Sequence, residues 1–157
     1  MKLKDIHPLD QIFSHQDCDE TKTMRHFNAS AITRAIVQGK INPYPAKDLN
    51  LYPELVQGIR DNHGIEPDHL ERIDNKLHHP ILIAVFGPLE DPASQNLVID
   101  GSHRVVRRWD KGMRTVDAFM LTPDQWEPYL IEDYDEDQLL SLPELLEYMA
   151  RKPSPSL

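Results

Sequence analysis

The stretch NLVIDGSHRVVRRWDKG, residues 96–112, changes its periodicity half-way along. NLVID has the apolar texture of a core strand, and the residues after Gly101 have the spacing of a helix with one apolar and one basic side. Asp100, Gly101, Ser102, His103 and Arg104 stand side by side at the changeover. A strand that hands over to an amphipathic helix through a glycine commits the chain to packed α and β layers.

The neighbouring sequence extends this reading. PILIAVFG at residues 80–87 is a continuous apolar run bounded by proline and glycine, as in a strand buried on both faces. RTVDAFMLT supplies a third strand with Val116, Ala118 and Met120 on one face. Strand, helix and strand across residues 97–121 are expected to form a right-handed βαβ crossover. Upstream, the run from Ser30 to Val37 reads as a helix stopped by Gly39, and INPYPAKDLN reads as a proline-punctuated loop. IHPLDQIF is either a short helix or an edge strand. Asn50 is placed to cap a helix that opens with Pro53 and Glu54, buries Leu55, Val56 and Ile59, and ends near Gly64. EPDHLERIDNKL adds a short helix with Leu70 and Ile73 inward. Thr122 and Pro123 start a helix in TPDQWEPYLI, and Ser141 with Glu144 forms a capping-box pattern for LPELLEYMARK. The expected fold is therefore α+β, or α/β: a small mixed sheet with a βαβ unit, packed by several helices that dominate the first half.

The helix after Gly101 has two sides. With Ser102 as cap and the helix running from His103 to Lys111, Val105, Val106, Trp109 and Met113 share one arc, while Arg104, Arg107, Arg108 and Lys111 share the other. A solvated surface explains the basic arc. The first turn offers more: free N–H groups, the positive end of the helix dipole, and a glycine that admits a close approach. His103 and Arg104 add donors at the same point, which makes it an anion site suited to phosphate. Asp100 would hold a divalent cation or accept a proton. Taken singly, each residue has a plainer role as turn, cap or ion-pair partner.

The chain has 157 residues, enough for one domain with a true core. No segment approaches a membrane span, and the N-terminus lacks the apolar core of a secretory signal. The lone cysteine, Cys18, fits a reducing compartment, so a cytoplasmic protein without a membrane partner is expected. Acidic residues outnumber Lys and Arg by 26 to 17, a formal charge of −9. Such a chain repels nucleic acid on average, although its basic helix remains a local exception.

The segment ILIAVF…NLVIDGSHRVVRRWDKGMRTVDAFML resembles the ParB/sulfiredoxin superfamily, whose members carry a strand, a Gly-x-His-Arg or related turn, a helix and a closing strand. RDNHGIEP fits the end of the helix that precedes this unit. EPDHLERIDNKLHH then looks like an insertion, and Asn42-Pro43 echoes an upstream box. The resemblance implies a nucleotide site in which His103 and Arg104 hold phosphates and Gly101 and Ser102 give backbone contacts. Sulfiredoxins place their catalytic cysteine where this chain has Ser102, which argues against thiol chemistry. ParB partition proteins hydrolyse CTP and carry a helix-turn-helix region that is not evident here. A branch with an Asp-Gly-x-His-Arg turn phosphorylates a free amino acid, and small plasmid and phage relatives have been described as ATPases or nucleases. Asp-Gly-Ser-His-Arg looks closer to these.

The resulting expectation is a single domain, 1–157, with a helical N-terminal extension (1–50), a ParB/sulfiredoxin-like core (51–131), and an acidic loop with a C-terminal helix (132–157). It would bind ATP or another nucleotide with Mg²⁺ on Asp100, and would hydrolyse the triphosphate or pass its phosphate to a small acceptor. Asp100, His103 and Arg104 would carry the catalysis. Two alternatives share the corner: a DNA-associated nuclease or binding module that uses the arginine stripe, and a noncatalytic interaction protein of a bacterial mobile element. His63 and His69 with Asp61, Glu66 and Asp68 match no standard zinc spacing. His78-His79 read as a polar entry to a strand, Trp126, Pro128 and Tyr129 as packing, and EDYDED at 132–137 as a solvated loop. No Gly-x-x-x-x-Gly-Lys loop, Gly-x-Gly-x-x-Gly turn or Gly-x-Ser-x-Gly elbow is present.

Overall fold

The computed structural model describes residues 1–17, 20–139 and 142–151. Cys18, Ser141 and the tail 152–157 lie outside them, so the cap expected of Ser141 does too. The chain divides into two compact units. One is Met1–Arg34 with Tyr129–Leu157, and the other is Ala35–Pro128.

In the first unit, β1 (Ile12–Gln16) and β2 (Met24–Asn28) pair antiparallel from Ile12↔Asn28 to Gln16↔Met24. The chain then enters α1 (Ala29–Val37) directly. Asn28 is fully buried at this junction; its Oδ1 accepts from Ala31 N–H at 2.9 Å and its Nδ2 donates to Asp10 at 2.8 Å. The N-terminal segment thus carries two strands as well as a helix. IHPLDQIF resolves accordingly: a 3₁₀ turn precedes it at Leu3–Asp5, and its last residues open β1. The unit closes with a 3₁₀ turn at Glu136–Gln138 and α6 (Leu142–Arg151).

The second unit is built on a four-stranded sheet: β3 (Tyr44–Asn50), β6 (Thr115–Leu121), β4 (Ile81–Phe86) and β5 (Gln95–Asp100), in that order. β3 pairs antiparallel with β6, β6 parallel with β4, and β4 antiparallel with β5. Two expectations are corrected here. INPYPAKDLN is not a loop, because most of it forms β3. An edge strand tolerates Pro45, which has no N–H to give, and a bulge between Ala46 and Leu49 absorbs the irregular stretch. Nor is 97–121 a parallel βαβ crossover. Residues 87–94 turn β5 back against β4 as a hairpin, so β5 and β6 run in opposite directions on either side of β4. The parallel pair is β4 and β6. The helix α4 (Ser102–Asp110) lies in the long connection between them.

One face of the sheet presents Ile81, Ile83, Val85, Val98, Val116 and Ala118. They pack with Val105 and Val106 of α4 and with Val56 and Ile59 of α2 (Pro53–Asn62). Trp109 and Met120 close the rim of this cluster. Leu82 and Ala84 are buried on the opposite face, so the unbroken apolar run of β4 reflects burial on both sides. There Trp126, in α5 (Pro123–Trp126), donates its indole N–H to Val85 O at 2.9 Å. Thr122 and Gln125 form the reciprocal capping box at the start of α5. α2 begins after Tyr52 with Pro53 in its first turn, and Asn50 belongs to β3 instead of capping it. α3 (Pro67–Arg72) and a 3₁₀ turn at Asp74–Lys76 follow, with Ile73 buried between them. Among the described residues no helix is long and apolar enough to cross a membrane.

Candidate functional site

The corner where β5 becomes α4 depends on Gly101. Its φ is +97°, the left-handed region that glycine enters at little cost. A Cβ there would lie 2.5 Å from Ile81 Cγ2 and 2.8 Å from Arg104 Nη2, so no side chain fits. The turn aims the first turn of α4 past the end of β5. Gly101 is the N-cap and Ser102 is the first helical residue, one step earlier than expected. The Ser102 hydroxyl does not cap its own helix. It lies 2.7 Å from His63 Nδ1, at the C-terminal end of α2.

The segment between α2 and α3 covers the same turn. Glu66 N–H donates to His103 Nε2 at 3.1 Å, and the His69 ring stacks on the His103 ring at 3.9 Å between centroids. An Nε2 that accepts a hydrogen bond leaves the ring proton on Nδ1. Burial lowers the His103 pKa from its ordinary value, the nearby His69 lowers it further, and Glu66 opposes both. His103 is therefore a neutral ring with one remaining donor, Nδ1–H, and not the cation that charge neutralisation on a phosphate would call for.

Arg104 folds back over Gly101. Its Nη2 donates to Pro80 O at 3.1 Å and stands 3.5 Å from Asp100 Oδ2. Its Nε is buried with no hydrogen-bond partner. Of the five residues singled out in the sequence, Asp100, Gly101 and Arg104 meet one another, while the side chains of Ser102 and His103 meet His63, Glu66 and His69 instead.

The basic arc of α4 is not a freely solvated face. Arg107 grips Asp74 with Nε and Nη2 at 2.8 and 3.2 Å, and Lys111 reaches the same carboxylate at 3.0 Å. Those two cations hold the Asp74 carboxyl well below the usual carboxylate range. Arg108 donates to Thr115 O and Leu77 O at 2.7 and 2.9 Å, and Arg60 pairs with Asp110. Arg114 sits 3.8 Å over the Trp109 ring. With these cations engaged inside the unit, the stripe offers little to a DNA backbone.

Among the described residues no group of three or more His, Cys, Asp and Glu side chains is arranged to hold a metal ion. His63, His69 and Glu66, considered in sequence as a loose metal cluster, instead meet Ser102 and His103. The sequence put both sets of residues in view but not their pairing, His63 with Ser102 across 39 positions and Glu66 with His103 across 37. The signal for them was RDNHGIEP ending a helix just before the sheet. No protein-family model, no curated protein and no solved structure matches the chain.

Proposed function

We propose that the Ala35–Pro128 unit is a ParB/sulfiredoxin-like nucleotide-binding domain that hydrolyses a nucleoside triphosphate or passes its terminal phosphate to a small acceptor. The observation that carries this reading is the state of Arg104. A buried guanidinium N–H without an acceptor costs about 1–3 kcal/mol, and Arg104 Nε is one, beside a glycine where no side chain fits. A phosphate oxygen at this corner would satisfy it. The free N–H groups of the first turn of α4 belong to the same strand–helix junction and favour an anion at the helix start.

In this reading Arg104 turns from Pro80 O to the phosphates, and its fork geometry suits two phosphate oxygens at once. Nδ1–H of His103 supplies a neutral donor. Asp100 fits the modest demand of Mg²⁺, which is commonly held by one or two carboxylates together with substrate phosphates. When bound, the ion neutralises charge on those phosphates. The α2–α3 segment, through Glu66 and His69, keeps His103 in one tautomer and orientation.

The test is incubation of the full chain with ATP, CTP, GTP and ADP, each with Mg²⁺, followed by product analysis. Conversion of a triphosphate to its nucleoside diphosphate, with inorganic phosphate or with a phosphorylated acceptor, is the expected result. Recovery of every nucleotide intact, with or without added hydroxyl acceptors, would overturn the reading.

A further inference from the structure

We propose that His63 and Ser102 form a base–nucleophile pair in which Ser102 Oγ receives the terminal phosphoryl group of the bound nucleotide. This rests on the nucleotide reading above, and goes beyond it by naming the atom that takes the phosphate first.

Ser102 Oγ and His63 Nδ1 are 2.7 Å apart and half-buried, within the reach required of a general base. The two side chains come from different elements. His63 ends α2, its own N–H bonded to Ile59 O at 2.9 Å. Ser102 opens α4 directly after the left-handed Gly101. The hydroxyl therefore stands at the start of a nine-residue helix, where free backbone N–H groups gather and charge on an attacked phosphate is best tolerated. A hydroxyl bonded to an imidazole in this setting is the arrangement of an activated nucleophile. The neighbouring His103 cannot substitute as base through Nε2, because that nitrogen already accepts from Glu66 N–H.

In the tautomer with its proton on Nε2, His63 Nδ1 accepts the hydroxyl proton as Oγ attacks the γ-phosphorus. The Oγ–P bond forms, and the bond from the γ-phosphorus to the β,γ-bridging oxygen breaks. That oxygen leaves with the electron pair on the nucleoside diphosphate. In the second step water or an acceptor hydroxyl attacks the phosphoserine and forms a new O–P bond, its own proton passing to solvent; the P–Oγ bond breaks, and Oγ takes the proton back from His63.

The experiment uses the full chain with Mg²⁺ and ATP labelled in its γ-phosphate, quenched in acid at successive times and mapped by mass spectrometry. The expected result is a phosphate on Ser102 that appears within the first turnover, before free phosphate accumulates. Ser102→Ala removes the label, and His63→Gln slows its appearance at least tenfold. Circular dichroism melts report whether each variant is folded; if the alanine variant is not, Ser102→Thr keeps a hydroxyl and should carry the label at the same position. Calorimetric binding of ATP by the wild-type chain, with no label or with label elsewhere, overturns the nucleophile and leaves the nucleotide reading standing. Undiminished labelling in His63→Gln overturns the base. Absence of calorimetric binding removes both proposals together.

Discussion

Two serine–histidine hydrogen bonds among the described residues have the same length. Ser14 Oγ lies 2.7 Å from His26 Nδ1, and Ser102 Oγ lies 2.7 Å from His63 Nδ1. Their surroundings differ. Ser14 and His26 face each other in the register of β1 and β2, so strand pairing alone brings them together. Ser14 is exposed, and the His26 ring stacks on Tyr134 at 4.0 Å. Ser102 and His63 meet only because the core holds the end of α2 against the start of α4. One hydroxyl has a helix start around it and, two residues on, an arginine whose buried Nε has no acceptor; the other has neither. A hydrogen-bond length does not make a site. What the bond stands next to decides whether it has chemistry to do.

The largest effect expected at the α4 corner is structural. Gly101→Ala forces a Cβ onto Ile81 in a backbone region that side chains avoid. It should cost about 2–5 kcal/mol in a urea titration. Gly39 also has a positive φ, +73°, but open space around it. Gly39→Ala should therefore cost only about 1–2 kcal/mol. Equal losses at the two glycines would mean that the corner is not close-packed.

Next in size is Arg104→Ala, which should weaken nucleotide binding at least tenfold by calorimetry, or about 1.4 kcal/mol. Ser14→Ala should leave binding unchanged and move stability by no more than about 0.5 kcal/mol. Loss of binding in the Ser14 variant would erase the distinction between the two pairs.

The two regions share one property, and it gives a smaller prediction. Burial lowers the pKa of both His26 and His103 below the value of an unfolded histidine. Between the folded and unfolded values the unfolded chain binds more protons. Stability should thus be full above about pH 6.5 and fall as pH drops through that window. Urea midpoints between pH 8 and 5 should follow this slope, and His26→Asn and His103→Asn should each flatten part of it. A slope unchanged in both variants would assign it to other groups.

The smallest effect belongs to Asp74→Asn. Its two ion pairs are exposed, so the loss should be slight and should vanish in molar salt. The depressed Asp74 pKa also fixes a direction with pH. Its contribution is present above the unfolded value of about 4 and is lost as pH falls further. A large loss that persists in salt would show that Asp74 holds α4 in place.

Much of the second unit was legible in the sequence because its signals were local. The run of β4, the alternation of β6 and the amphipathic spacing of α4 each declare themselves within a few residues. β3 was not legible: an edge strand tolerates proline and a bulge, and both imitate a loop. The direction of β5 was hidden because a strand–helix–strand pattern reads the same whether the first strand pairs parallel or turns back as a hairpin. At the candidate site the five adjacent residues from Asp100 to Arg104 could be picked out together. Their partners could not, since His63, Glu66, His69 and Pro80 reach them through the tertiary fold. That is also why Ser102 read as a cap.

Backbone amide NMR of the full chain titrated with ATP and Mg²⁺ reads out directly whether a phosphate binds at the start of α4. Saturable shifts should concentrate on Gly101, Ser102, His103 and Arg104, with the Glu66 amide following as its bond to His103 responds. A titration that leaves these amides unmoved, or moves only amides of the Met1–Arg34 segment, would contradict the account.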